Sequence, residues 1–215
     1  MQPTEKQVTY TTTNSYSTLN TLTSETKNVW IVCHGIGYLS RFFLRYFKDL
    51  PANENYIIAP QAPSKYYLND KYTHIGASWL TRENTRNEID NIITYLNSVC
   101  VQENIPSKHN LIIMGYSQGV SIVSRWLAKQ KIKCQQFVLY AGTIPNELTT
   151  EDFLFLKDNN TKTTVIVGEN DEYLDEKRRA IEKERVTSII GEATRFITFE
   201  GGHEVQKKII NALVE

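Results

Sequence analysis

Three side chains far apart in the sequence, Ser117, Asp171 and His203, are of the types that acyl transfer needs. A serine hydroxyl is a weak nucleophile at neutral pH, so an imidazole must take its proton as it attacks a carbonyl. A carboxylate behind the imidazole fixes the tautomer and stabilises the imidazolium that forms. Ser117 lies in Gly115-Tyr116-Ser117-Gln118-Gly119, Asp171 in Gly168-Glu169-Asn170-Asp171, and His203 in Gly201-Gly202-His203. Each follows an apolar run, which predicts a loop at the end of a strand. Glu169 and Asp175 are the alternatives for the acid. Of the four histidines, only His203 stands after a strand and downstream of the acid. His34 reads as support for its own loop, His74 as a loop residue, and His109 as a turn residue before a strand.

The pentapeptide around Ser117 is not diagnostic by itself, because glycine and serine are common; a serine that merely caps a helix would satisfy it. Its setting says more. Leu111–Met114 is a buried-strand pattern and residues 118–126 are helix-periodic, so the turn between them takes almost no residues. Such a turn strains the backbone at Ser117 and lifts its hydroxyl above the sheet. Gly115 and Gly119 suit a strand and helix that pass too close for a Cβ. The helix start leaves the Gln118 N–H free to bind an oxyanion. A second donor is expected from His34-Gly35-Ile36-Gly37, at the N–H of Ile36.

The elements that must position these residues read as strands alternating with helices. Val29–Cys33, Tyr56–Ala59, Leu111–Met114, Phe137–Gly142 and Thr164–Gly168 are apolar runs, as expected of strands buried on both faces, and Arg195–Phe199 reads as a last strand. Helical stripes are expected over 38–48, 82–102, from 118 onward, 174–190 and 204–214. Residues 7–23 alternate Thr and Ser with Val8, Tyr10, Tyr16, Leu19 and Leu22, which predicts an antiparallel edge hairpin turning near Asn14-Ser15. The Tyr-rich stretch from Ser64 to Trp79 reads as a long irregular loop. The fold class is therefore α/β, a mostly parallel central sheet covered by helices on both faces, with 1–215 as one domain.

The 215 residues carry 24 Lys+Arg against 24 Asp+Glu, which gives no basic surplus for nucleic acid. Cys33, Cys100 and Cys134 form neither a disulfide framework nor a metal pattern. The start of the chain lacks a signal-peptide core and no apolar run spans a bilayer, so a cytoplasmic protein without integral membrane association is expected. No metal or cofactor is expected, and either a monomer or a homodimer is compatible with the sequence.

With these motifs in hand, the chain resembles the serine carboxylesterase/phospholipase family of α/β-hydrolases, which includes acyl-protein thioesterases and small bacterial esterases. The matching residues are His34-Gly35-Ile36-Gly37, Ala59-Pro60-Gln61-Ala62-Pro63, Ser78-Trp79, Gly115-Tyr116-Ser117-Gln118-Gly119, Gly168 with Asp171, and Gly202-His203. The resemblance implies an α/β-hydrolase without a large cap, cleaving small-molecule esters or thioesters without a cofactor. It implies Ser117, Asp171 and His203 as the triad, Ile36 and Gln118 as oxyanion donors, and Gln61 and Trp79 near the acyl or alcohol pocket. The segment 64–77 departs from the thioesterase-like pattern, and Val120 stands where that group often has another glycine. The expected function is hydrolysis of short or medium acyl esters, with thioesters and lysophospholipids using the same residues. The contrasting expectation is a non-catalytic protein of the same fold that holds an apolar ligand.

Overall fold

A computed structural model describes residues 2–214. The strands are β1 (Tyr16–Leu19), β2 (Asn28–Cys33), β3 (Asn55–Pro60), β4 (Ser64–Tyr67), β5 (Ile75–Ser78), β6 (Asn110–Tyr116), β7 (Gln136–Tyr140), β8 (Lys162–Gly168) and β9 (Arg195–Phe199). Seven of them form one sheet in the order β1-β3-β2-β6-β7-β8-β9, parallel throughout except for β1, which runs antiparallel to β3. The helices are α1 (Ser40–Phe43), α2 (Thr85–Glu103), α3 (Gln118–Gln130), α4 (Thr150–Asp158), α5 (Glu176–Ile190) and α6 (Lys207–Asn211).

The apolar strands are buried because both faces are covered. One face packs Val29, Ile31 and Ile113 against Ile92 and Leu96 of α2, Val123 and Trp126 of α3, Phe153 of α4 and Val186 of α5. The other packs Trp30, Ile112 and Met114 against Phe43 and Phe47 beside α1 and against Ile209 and Ile210 of α6.

Three sequence expectations are corrected. The N-terminal hairpin is a single strand, β1: Val8 and Tyr10 are exposed, and instead of a partner strand the chain is tied at Asn14 and Ser15 to Gln61 and Tyr95. The stretch from Ser64 to Trp79 is a regular hairpin, β4 pairing β5 from Ser64↔Ser78 to Tyr67↔Ile75. Every residue of β4 is exposed, so no inside–outside alternation marked it. The helix expected over 38–48 is one α-helical turn, α1, followed by a 3-10 turn over Leu44–Phe47. Helix α4 was not anticipated, although Thr149 and Asp152 form a capping box at its start.

Candidate active site

Strand β6 ends at Tyr116 and α3 begins at Gln118, so the chain reverses on Ser117 alone. Ser117 has φ 52° and ψ −119°, a conformation L-residues avoid. The surroundings hold it there: its N–H donates to the Tyr140 carbonyl at 2.8 Å and its own carbonyl accepts from Val120 N–H at 3.0 Å. The flanking glycines permit the approach. A Cβ on Gly119 would lie 2.0 Å from the Cys33 carbonyl oxygen, and one on Gly115 would lie 2.5 Å from the Gly119 backbone.

The structure brings the three candidates together. His203 Nε2 lies 2.9 Å from Ser117 Oγ, and its Nδ1 lies 2.8 Å from Asp171 Oδ2. Asp171 is only 3% exposed, and its other oxygen accepts the N–H groups of Tyr173 at 2.9 Å and Leu174 at 3.2 Å. A carboxylate so held keeps its orientation. The acid and histidine loops are stitched to each other: Glu169 N–H donates to Phe199 O and Asn170 N–H to Gly201 O. Of the alternative acids, Glu169 is exposed, and Asp175 is occupied in capping α5 by accepting from Arg178 N–H.

Sequence reasoning missed two supports of the imidazole. The Tyr116 hydroxyl donates to the His203 carbonyl at 2.8 Å, and the Tyr173 ring meets the imidazole edge-on with centroids 4.8 Å apart. Both contacts join loops distant in sequence, and neither has a local signature.

Residues 34–37 lie against this turn. A Cβ on Gly35 would stand 3.1 Å from Ser117 Cβ and 3.0 Å from the Tyr116 ring. Among the described residues, neither the Ile36 N–H nor the Gln118 N–H has a hydrogen-bond partner. Two free donors beside a serine hydroxyl can bind the oxygen of a tetrahedral adduct. His34 is wholly buried; its Nδ1–H donates to Gly35 O at 2.8 Å and its Nε2 accepts from Ala62 N–H at 3.2 Å. Burial lowers its pKa to about 4, which keeps the ring neutral as this pairing requires.

Gln61 and Trp79, which the resemblance implied near the acyl or alcohol pocket, are 3% and 0% exposed. Gln61 Oε1 accepts from Ser40 N–H at 2.9 Å, and Trp79 Nε1–H donates to the His34 carbonyl at 2.8 Å. Trp79 thereby supports the 34–37 loop, and Gln61 the start of α1. An apolar cavity of about 270 Å³ under α5, lined by Val167, Leu174, Val186 and Phe196, reaches Gly142 behind the turn rather than the Ser117 hydroxyl. Among the described residues, no three His, Cys, Asp or Glu side chains converge to hold a metal ion, and no helix is long and apolar enough to cross a membrane.

A family model described as serine hydrolase (FSH1) matches residues 48–210, and the chain belongs to that family. Compared with curated protein sequences, it matches none. Among solved structures it is similar to acyl-protein thioesterase 2 of Zea mays, at 13% identity over 94% of this chain and 96% of that one, with a TM-score of 0.70. It is also similar to a phospholipase/carboxylesterase of Dyadobacter fermentans, at 17% identity over 96% and 98% with a TM-score of 0.68. A third is a carboxylesterase of Mesorhizobium loti, at 14% identity over 88% and 89% with a TM-score of 0.67. At these identities the likeness is one of fold, and the fold is that of an α/β-hydrolase without a cap domain among the described residues. With the family, it makes this protein a serine hydrolase.

Proposed function

We propose that the protein is a serine carboxylesterase that hydrolyses short or medium acyl esters through an acyl-enzyme on Ser117. The observation that carries this reading is the continuous relay Ser117 Oγ–His203–Asp171, at 2.9 and 2.8 Å, beside the two unpartnered N–H groups of Ile36 and Gln118. Ser117 Oγ attacks the ester carbonyl while His203 Nε2 takes the hydroxyl proton. The carbonyl oxygen becomes an oxyanion and is received by the two N–H groups. Collapse of the tetrahedral adduct breaks the bond to the alcohol oxygen, which leaves with the proton from His203. A water then repeats the sequence on the acyl-enzyme, giving up its proton to His203 and releasing the acid. Every proton is handled by these residues, and the whole chain serves as one catalytic domain. Thioesters and lysophospholipids fall within the same reading, since both present an acyl carbonyl to the same groups; the similarity in fold to an acyl-protein thioesterase and to a phospholipase/carboxylesterase supports it.

The test is hydrolysis of p-nitrophenyl esters of increasing chain length by wild type and Ser117→Ala, with fluorophosphonate labelling in parallel. Turnover and labelling in the wild type, with kcat reduced roughly 10⁴-fold or more in the variant, support the reading. Full activity in Ser117→Ala, or a wild type that neither turns over nor is labelled, overturns it.

A further inference from the structure

The N–H groups of Ile36 and Gln118 belong to different loops, one after β2 and one after β6. The pairing of those strands ends at Cys33↔Gly115, just before both loops begin. What ties the loops beyond that point is largely the end of the hairpin. The Gly37 N–H donates to the Ala77 carbonyl at 2.8 Å, and Trp79 Nε1–H donates to the His34 carbonyl at 2.8 Å. The 77–79 segment thus grips the Ile36 loop on both sides of its donor. The same segment is held from the other side by the Gln118 side chain. Its Oε1 accepts the Trp79 N–H at 2.8 Å, while its Nε2 donates to Leu80 O at 2.8 Å and to Ser78 Oγ at 3.1 Å. The donor and acceptor ends of one amide are both satisfied, which only glutamine can do at this length. Ser78 and Trp79 are buried, so little water competes for these bonds.

We infer that the Gln118 side chain is a positioning residue: through residues 77–80 it sets the spacing between its own N–H and that of Ile36. The inference rests on the esterase reading, because the spacing matters only if both N–H groups receive one oxyanion. The backbone N–H of residue 118 survives any substitution there, so the side chain can be tested apart from the donor. Trp79 and the side chain of Gln118 then act on the chemistry without touching the substrate.

The experiment is Gln118→Met, which keeps the length of the side chain and removes its hydrogen bonds, with Ser78→Ala as a milder second variant. Both are measured against p-nitrophenyl butyrate, a trifluoromethyl ketone that forms a tetrahedral adduct on serine, and thermal unfolding. Donors displaced by a fraction of an ångström should lower kcat roughly 10- to 100-fold in Gln118→Met, with KM within about twofold. Affinity for the ketone should fall by the same factor as kcat/KM, because the adduct carries the oxyanion. Ser78→Ala, losing the bond the hydroxyl accepts from Gln118 Nε2 and the one it donates to Leu80 O, should move both in the same direction by about 2- to 5-fold. It carries the test alone if the Met variant does not fold. Unchanged kcat overturns the inference. So does a loss of stability in which ketone affinity does not track kcat/KM. A wild type that neither turns over nor is labelled by a fluorophosphonate removes the esterase reading and this inference with it; a normal wild type beside normal variants removes the inference alone.

Discussion

Asp171→Asn separates the orienting role of the acid from its packing. The carboxylate is buried, with Oδ1 accepting two backbone N–H groups and Oδ2 facing His203 Nδ1. Asparagine fills the same volume, and its amide oxygen can keep both backbone bonds only if its NH2 points at His203. The reverse placement would set an NH2 against two N–H donors and leave those donors orphaned. With the NH2 facing it, Nδ1 must become the acceptor and the ring proton moves to Nε2. That nitrogen then presents a proton to Ser117 Oγ, 2.9 Å away, and cannot remove one. Loss of the working tautomer should lower kcat by about 10⁴, or about 5.4 kcal/mol of transition-state stabilisation. The backbone bonds persist, so folding stability should change by no more than about 1 kcal/mol. The assay is p-nitrophenyl acetate hydrolysis near neutral pH, with chemical unfolding of the same samples. An Asn variant within about tenfold of wild type, or a loss of the same size in Glu169→Gln, would refute the reasoning.

Two further outcomes are expected. Tyr116→Phe keeps the ring against His203 but removes the hydroxyl that holds its carbonyl at 2.8 Å, so kcat should fall by roughly 3- to 10-fold with KM unchanged; equal kcat would mean that the histidine loop is held by its other contacts alone. For His34, burial lowers the folded-state pKa from 6.5 to about 4, so between those values the unfolded chain binds a proton that the folded protein does not. The neutral ring's contribution is therefore complete above about pH 6.5 and is lost as pH falls toward 4, by roughly 3 kcal/mol in all. Unfolding midpoints measured against pH should show this slope in wild type and not in His34→Gln; parallel slopes would rule it out.

The parts of the site that chemistry would touch were readable because each is a local pattern. An apolar strand, a one-residue turn and a helix mark Ser117 in a single stretch, and Asp171 and His203 each close a strand and open a loop. The supports were not readable for the opposite reason. Gln61, Trp79 and the Tyr116 hydroxyl act through side-chain bonds to backbone atoms remote in sequence, and nothing in their neighbours specifies the partner. Gln61 and Trp79 could be singled out only by resemblance, which implied a place near the acyl or alcohol pocket, and the structure shows both buried. The hairpin of β4 and β5 was missed because an exposed strand shows no alternation, while its far end, from Ala77 to Trp79, is buried and bonded.

That difference also explains how the site can be accurate when its residues lie on separate loops. Parallel pairing runs Gly115↔Leu139, Leu139↔Val165 and Val165↔Phe196, so β6, β7, β8 and β9 end nearly level along one edge. The sheet register therefore delivers Ser117, Asp171 and His203 to the same edge at no cost beyond forming the sheet itself. Register fixes a strand end but not the loop beyond it, and catalysis needs hydrogen-bond contact between the loops. The remaining adjustment falls to bonds from one loop to another: Glu169 and Asn170 to the chain at Phe199 and Gly201, Tyr116 to His203, and Gln118 to the 78–80 segment. Removing one of these bonds should therefore leave the sheet and its stability nearly intact while the rate falls, the reverse of the effect of a cavity cut in the core beneath Trp30 or Ile112.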